Sequence, residues 1–156
     1  MTALAIVVHW LHVVAGAIWF GAQAFLFAAL WPALLRRPAP EARAMLGAIV
    51  PGMSRLMGIV GPVVIVTGLL RGTWLGPLRS AAALGTAYGA TFLAAMALVA
   101  ALSVIGGRAR TSLGPRLFAG DAWHPGAAAY LRRFGAVTLG TLAAVLACMV
   151  LMRFGL

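Results

Sequence analysis

The sequence predicts an all-α, four-helix transmembrane bundle forming one domain over residues 1–156, with both termini on the outer side of the membrane. Three observations carry this. Of 156 residues, 63% are hydrophobic and only 9% charged, against about 25% charge in an ordinary soluble domain. The apolar residues gather into four runs long enough to cross a hydrocarbon layer, which needs about 20 residues at about 1.5 Å each. The basic residues are 12 arginines, with no lysine, and fall in the gaps between runs.

The first run, Ala3 to Trp31, is long enough to tilt or to project from the bilayer. No basic residue precedes it and it exceeds a cleavable hydrophobic core, so it is expected to remain as mature structure. Pro32, Pro38 and Pro40 are expected to end it, since proline lacks the amide proton a helix interior needs. Glu41 to Val50 reads as a short interfacial helix. The second span is Gly52 to Leu70, with Pro62 inside it, where a kink is expected and neighbouring helices must satisfy the freed carbonyl. "GTWLGPLRS" reads as a tight turn. The third span is Ala81 to Gly106 and the fourth Leu131 to Met152. Between them, "GRARTSLGPRLFAGDAWHPGAAAY" is the longest polar stretch and is expected to follow the membrane surface.

Arginine placement sets the orientation. Arg36, Arg37, Arg43 and Arg55 flank the first connection, and Arg108, Arg110, Arg116, Arg132 and Arg133 the third. Only Arg71, Arg79 and Arg153 lie on the other side. Positive loops stay in the cytoplasm. A net charge of +10 could suggest nucleic acid, but such binders gather charge on one face or stripe; a lipid bilayer is the partner expected here, and no nucleic acid. Cys148 is the only cysteine, so no intramolecular disulfide can form.

Within the first span, "HWLHVVAGAIWFG" places two ionisable side chains in an apolar run. His9 and His12 sit about 9 and 14 Å below the start of the span. At about 100° per residue, His9, His12, Gly16, Trp19 and Gln23 fall within about 80° of one another. Ionisable residues inside a membrane usually face the bundle interior and mark a site. The alternative is that the histidines bond neighbouring helices, with Gly16 permitting close approach. Trp10 lies on another face and belongs, with Trp74, to an interfacial aromatic belt. In the fourth span Cys148, Met149 and Met152 lie near the outer end, and Thr138, Thr141, Cys148 and Met152 share a face. Sulfur with imidazole suits copper(I) or haem iron, although methionine is also an ordinary packing residue, and Met53, Met57 and Met96 show no informative spacing. His124, in "DAWHPG", reads as a surface histidine beside a turn. There is no glycine-rich phosphate loop, paired carboxylate or nucleophile elbow. Glu41 and Asp121 are the only acids, and both are expected on the cytoplasmic side.

"LHVVAGAIWFG", "TGLLRG", "AYGATFL", "R…LGPRL" and "YLRRFGAVTLG" together resemble the CopD-type copper-resistance membrane proteins over most of the chain. "HWLHVVAGAIWFG" also resembles the membrane domain of bacterial membrane-anchored urate oxidases. The resemblance implies a multi-pass protein of the bacterial inner membrane, so that the outward termini drawn from the arginines would be periplasmic, and it picks out His12, Trp19, Gly21, Tyr88 and Gly89. The chain departs from the CopD pattern near Ala95, where a basic residue often follows the Tyr-Gly pair.

The first family implies copper uptake and the second haem. Electrostatics favours haem b over copper. A positive field lowers local cation concentration, and the outer face carries Arg71, Arg79 and Arg153 with no carboxylate. Haem takes a neutral imidazole and presents anionic propionates, which arginine pairs well. The expected arrangement is a porphyrin between the first and fourth spans. His12 or His9 ligates iron, Gly16, Trp19 and Gln23 complete the stripe, and Arg71 and Arg153 hold the propionates. Both histidines project from one side of one helix, so a second axial ligand must be Met149, Met152, a residue of another protomer in a homodimer, or absent. The function expected is electron transfer or small-molecule redox chemistry, with a redox partner or quinone. An enzymatic role would be that of a haem-dependent membrane oxidoreductase. The alternatives are copper uptake and a structural subunit whose histidines only pack.

Overall fold

The computed structural model describes residues 2–155, with the side chains of Arg110 and Thr111 left out. It is 84% helical. Among the described residues, four helices are long and apolar enough to cross a membrane.

The first span is α1 (Ala3–Phe25), one π-helical turn (Leu26–Leu30) and α2 (Trp31–Leu34). Thr2 caps α1, its hydroxyl accepting from the Ala5 amide. Pro32 does not end the span, contrary to expectation. The Trp31 amide reaches back to the Leu26 carbonyl, and this wider turn accommodates a ring that would otherwise collide with the preceding turn. The chain breaks only after Leu34, and α3 (Ala39–Gly72) opens with Pro40 in its first turn, where a missing amide costs nothing.

The expected interfacial helix over Glu41 to Val50 is the first third of α3 itself, which continues through Pro51 and Pro62. At helical rise its 34 residues extend about 51 Å, well beyond a hydrocarbon core of about 30 Å. The Gly47 carbonyl that Pro51 leaves unbonded sits on an exposed residue, where water can satisfy it.

The turn after α3 is as tight as expected. The Leu78 amide bonds the Gly72 carbonyl at 3.1 Å, and a side chain at Gly76 would collide with the Arg71 carbonyl. Ala81–Gly85 is a 3-10 turn rather than the start of the third span. Helix α4 (Ala87–Leu117) begins only after Thr86, whose extended backbone and hydroxyl bond to the Gly89 amide at 3.1 Å make it the cap.

The segment expected to run along the membrane surface is mostly helical. Helix α4 continues to Leu117, and α5 (Ala127–Arg153) starts well before Leu131. Between them lies a two-stranded antiparallel hairpin, β1 (Phe118–Ala119) and β2 (Ala122–Trp123). Gly120 supplies the positive φ of 61° that its tight turn requires.

This hairpin fastens the arginine-rich end. The Trp123 indole donates to the Arg37 carbonyl at 2.9 Å, and its ring stacks on Phe118. The Arg43 guanidinium lies 4.7 Å over Phe118 and donates to the Gly120 carbonyl. Leu34, Ala42, Leu117 and Ala127, each no more than 1% exposed, lie in two clusters that share Trp31 and Trp123. The densest core is therefore at one end of the bundle. Toward mid-bundle, Gly135 lets the Phe27 ring approach α5, and Phe27 meets Phe134 edge-on.

Packing beyond that end is uneven. Helix α1 lies along α3 and α4 along α5, while α1 touches α5 more sparsely. Helix α3 meets α4 where the Phe92 ring fills the space beside Gly72. Around the bundle the order is α1, α3, α4, α5, with α4 diagonal to α1. Trp10 and Trp74 face outward, 62% and 71% exposed, as an aromatic belt requires.

Candidate cofactor cavity

Opposite the dense end, the two helix pairs part to leave a cavity of about 820 Å³. That lies within the roughly 300–1,000 Å³ typical of ligand pockets. All four long helices line it, not only the first and last spans as expected. Its walls are largely apolar, and its polar groups are few: His9, His12, Arg71, Tyr88 and Arg153. Arg71 lies at the end of α3, Arg153 at the end of α5, and Tyr88 at the start of α4. The cationic groups thus gather at one mouth.

The stripe on α1 divides. His9, His12, Gly16 and Trp19 line the cavity, whereas Gln23 does not. Gln23 has the right angular position but lies one turn beyond Trp19, and Phe20 is the last α1 residue of the lining. Met149 and Met152 line the cavity and Cys148 does not, so the sulfurs of α5 are separated by the helical turn. Thr141 returns its hydroxyl to the Val137 carbonyl at 2.8 Å. The buried Thr138 hydroxyl, one turn below Leu142, has no partner among the described residues. Gly21 is exposed. Gly89 gives close passage to the 3-10 turn, because a side chain there would collide with Ala83 and Leu84. His124 is exposed and accepts from the Gly126 amide at 3.1 Å, a surface histidine at a turn.

His12 is the one buried ionisable group on the described wall, 7% exposed. Its Nδ1 lies 3.1 Å from the Val64 carbonyl and 3.0 Å from Thr67 Oγ1. A carbonyl can only accept, so in this geometry Nδ1 carries the proton. The Thr67 hydroxyl donates its own hydrogen to the Val63 carbonyl, which leaves its lone pair free to accept from His12. In a neutral imidazole the lone pair is then on Nε2, which has no hydrogen-bond partner among the described residues. An Nδ1–H bond to a backbone carbonyl is the support that metal-ligating histidines ordinarily have. Gly68 completes the seat, since a Cβ there would stand 3.0 Å from His12 Cε1.

Thr67, Gly68 and the α4 wall were not identified as site residues from sequence. Val64, Thr67, Gly68 and Arg71 follow the i, i+3, i+4, i+7 spacing of one helix face, which is the signal "VIVTGLLR" contains. On α4, Phe92, Ala95, Met96 and Val99 line the cavity. Ala95 stands where the CopD resemblance leads one to expect a basic residue; it is buried, so a long cation there would fill space that the alanine leaves open.

Among the described residues, no group of three or more His, Cys, Asp or Glu side chains is gathered as a metal site. No family model, curated protein or solved structure matches the chain. The class that fold and site define is a multi-pass helical bundle with an apolar internal cavity and one seated imidazole.

Proposed function

We propose that this is a b-type haem protein of the bacterial inner membrane, with both termini periplasmic and His12 as an axial ligand. The observation that carries it is the seating of His12. Its Nδ1–H is committed to α3, which leaves the Nε2 lone pair free on the wall of a large apolar cavity. Three features support haem as the occupant. The donor set centres on one fixed imidazole, as an axial ligand requires. The alanine, glycine and valine walls leave room for a flat apolar ring. Arg71 and Arg153 at the mouth suit an anionic edge. Bound haem would supply one-electron chemistry; the chain's own contribution is to fix the imidazole tautomer, exclude water and neutralise the propionates. Electron transfer to a redox partner or quinone fits this arrangement, and turnover of a substrate would make the protein a haem-dependent membrane oxidoreductase.

Copper remains the second reading because the thioethers of Met96, Met149 and Met152 share the cavity with His9 and His12, and soft sulfur with imidazole suits copper(I). A visible absorption spectrum of the purified protein, paired with metal analysis, decides between them. A Soret band with stoichiometric iron is expected. Bound copper without that band would replace haem by copper, and neither would leave a structural subunit.

A further inference from the structure

We infer that Met96 on α4, rather than Met149 or Met152 on α5, is the axial ligand opposite His12; this rests on the haem reading above. Two independent placements converge on it. The first is height. The Phe92 ring packs beside Gly72 and ties the levels of α3 and α4 at that point. His12 Cε1 lies against Gly68, four residues below Gly72, or about 6 Å at helical rise. Met96 lies four residues below Phe92 on α4, again about 6 Å, and both residues line the same cavity. Both anchors are side-chain atoms, and on α4 Phe92 and Met96 lean alike toward the helix N-terminus, so the spacing between their backbones carries over to the Met96 side chain.

The second placement is direction. Two axial ligands must approach a porphyrin from opposite faces, and so from opposite walls. Helix α1 has α3 and α5 as neighbours, and α4 stands diagonally across the cavity. Met149 and Met152 come from a helix adjacent to α1, and Met152 precedes the mouth residue Arg153. Met96 alone of the cavity methionines comes from the diagonal wall. The chemistry agrees, because a thioether is a neutral, soft ligand that raises the reduction potential of haem iron relative to a second imidazole.

The test uses the intact haem-loaded protein in detergent, with the ferric visible spectrum, the midpoint potential and carbon monoxide binding to the reduced form as readouts. Wild type is expected to be low-spin and slow to take up carbon monoxide. Met96→Leu should keep its haem, become high-spin, bind carbon monoxide readily and lose potential. Met96→His should restore the low-spin spectrum at a potential below wild type, which a purely packing methionine would not do. A low-spin spectrum unchanged in Met96→Leu, or conversion to high spin in Met149→Leu or Met152→Leu instead, overturns this inference and leaves the haem reading standing. No Soret band in the wild-type protein overturns both.

Discussion

The seat of His12 permits a graded test at Gly68. A Cβ at Gly68 would stand 3.0 Å from His12 Cε1, while ordinary carbon contacts are about 3.5–4.0 Å. Gly68→Ala must therefore push the ring away by about half an ångström. Nδ1 already stands at 3.1 Å from the Val64 carbonyl and 3.0 Å from Thr67 Oγ1, so the same shift carries at least one of these bonds toward the limit at which it stops counting. A lost hydrogen bond costs about 0.5–1.5 kcal/mol, and an off-rotamer ring a comparable amount, about 0.5–1.5 kcal/mol. Together, about 1–3 kcal/mol corresponds to haem affinity weaker by roughly 5- to 150-fold. The assay is titration of haem-free protein in detergent, followed at the Soret band, with thermal unfolding of the haem-free protein measured alongside. Gly58→Ala is the matched control, since nothing lies within 4 Å of its Cβ position on the same helix. Equal haem affinity in the Gly68 and Gly58 variants would refute the argument that this packing positions the ligand.

Three further outcomes are expected. His12→Ala should abolish haem binding and His9→Ala, at an exposed position nearer the start of α1, should only weaken it or alter the spectrum; full haem content in the double variant would reduce the stripe to packing. Arg71→Gln should loosen haem retention. Hydrogen bonds to charged groups contribute about 1.5–3 kcal/mol, and the exposure of Arg71 puts the effect at or below the low end. Full retention together with faster copper accumulation in cells would favour a cation path instead. Reporter fusions should place both termini outside, and cytoplasmic reporter activity at either end would reverse the orientation drawn from the arginines.

The four spans and the division of arginines between the ends were legible because both follow from composition along the chain. The stripe from His9 to Trp19 was legible because helical periodicity is a local property. Length was not. Counting apolar residues finds the part of a helix that lipid covers, and so separated the helix over Glu41 to Val50 from the span it continues into and missed the last third of α4, both of which run as more polar helix past that depth. Pro32 misled for a related reason. Its effect depends on the turn before it, and the π-helical turn at Leu26–Leu30 absorbs the ring. Gln23 has the correct angle at the wrong depth. The face of Thr67 was written in the spacing of "VIVTGLLR", but that it meets His12, and that Met96 lines the same cavity, needed knowledge of which helices are neighbours and at what level.

The uneven packing also bears on how the protein is made. Helices α1 and α3 are consecutive long helices and form one antiparallel hairpin; α4 and α5 form the second. Each can enter the bilayer as a unit as it leaves the ribosome. The latch between them needs Trp31 from the first unit and Trp123, Ala127 and Leu131 from the connection inside the second, so it closes only after the start of α5 has been synthesised. The cavity has walls from both units and does not exist before that closure. Whatever fills it must arrive after α5 has been made, through the mouth or sideways from the lipid, into a vessel whose far end is already sealed.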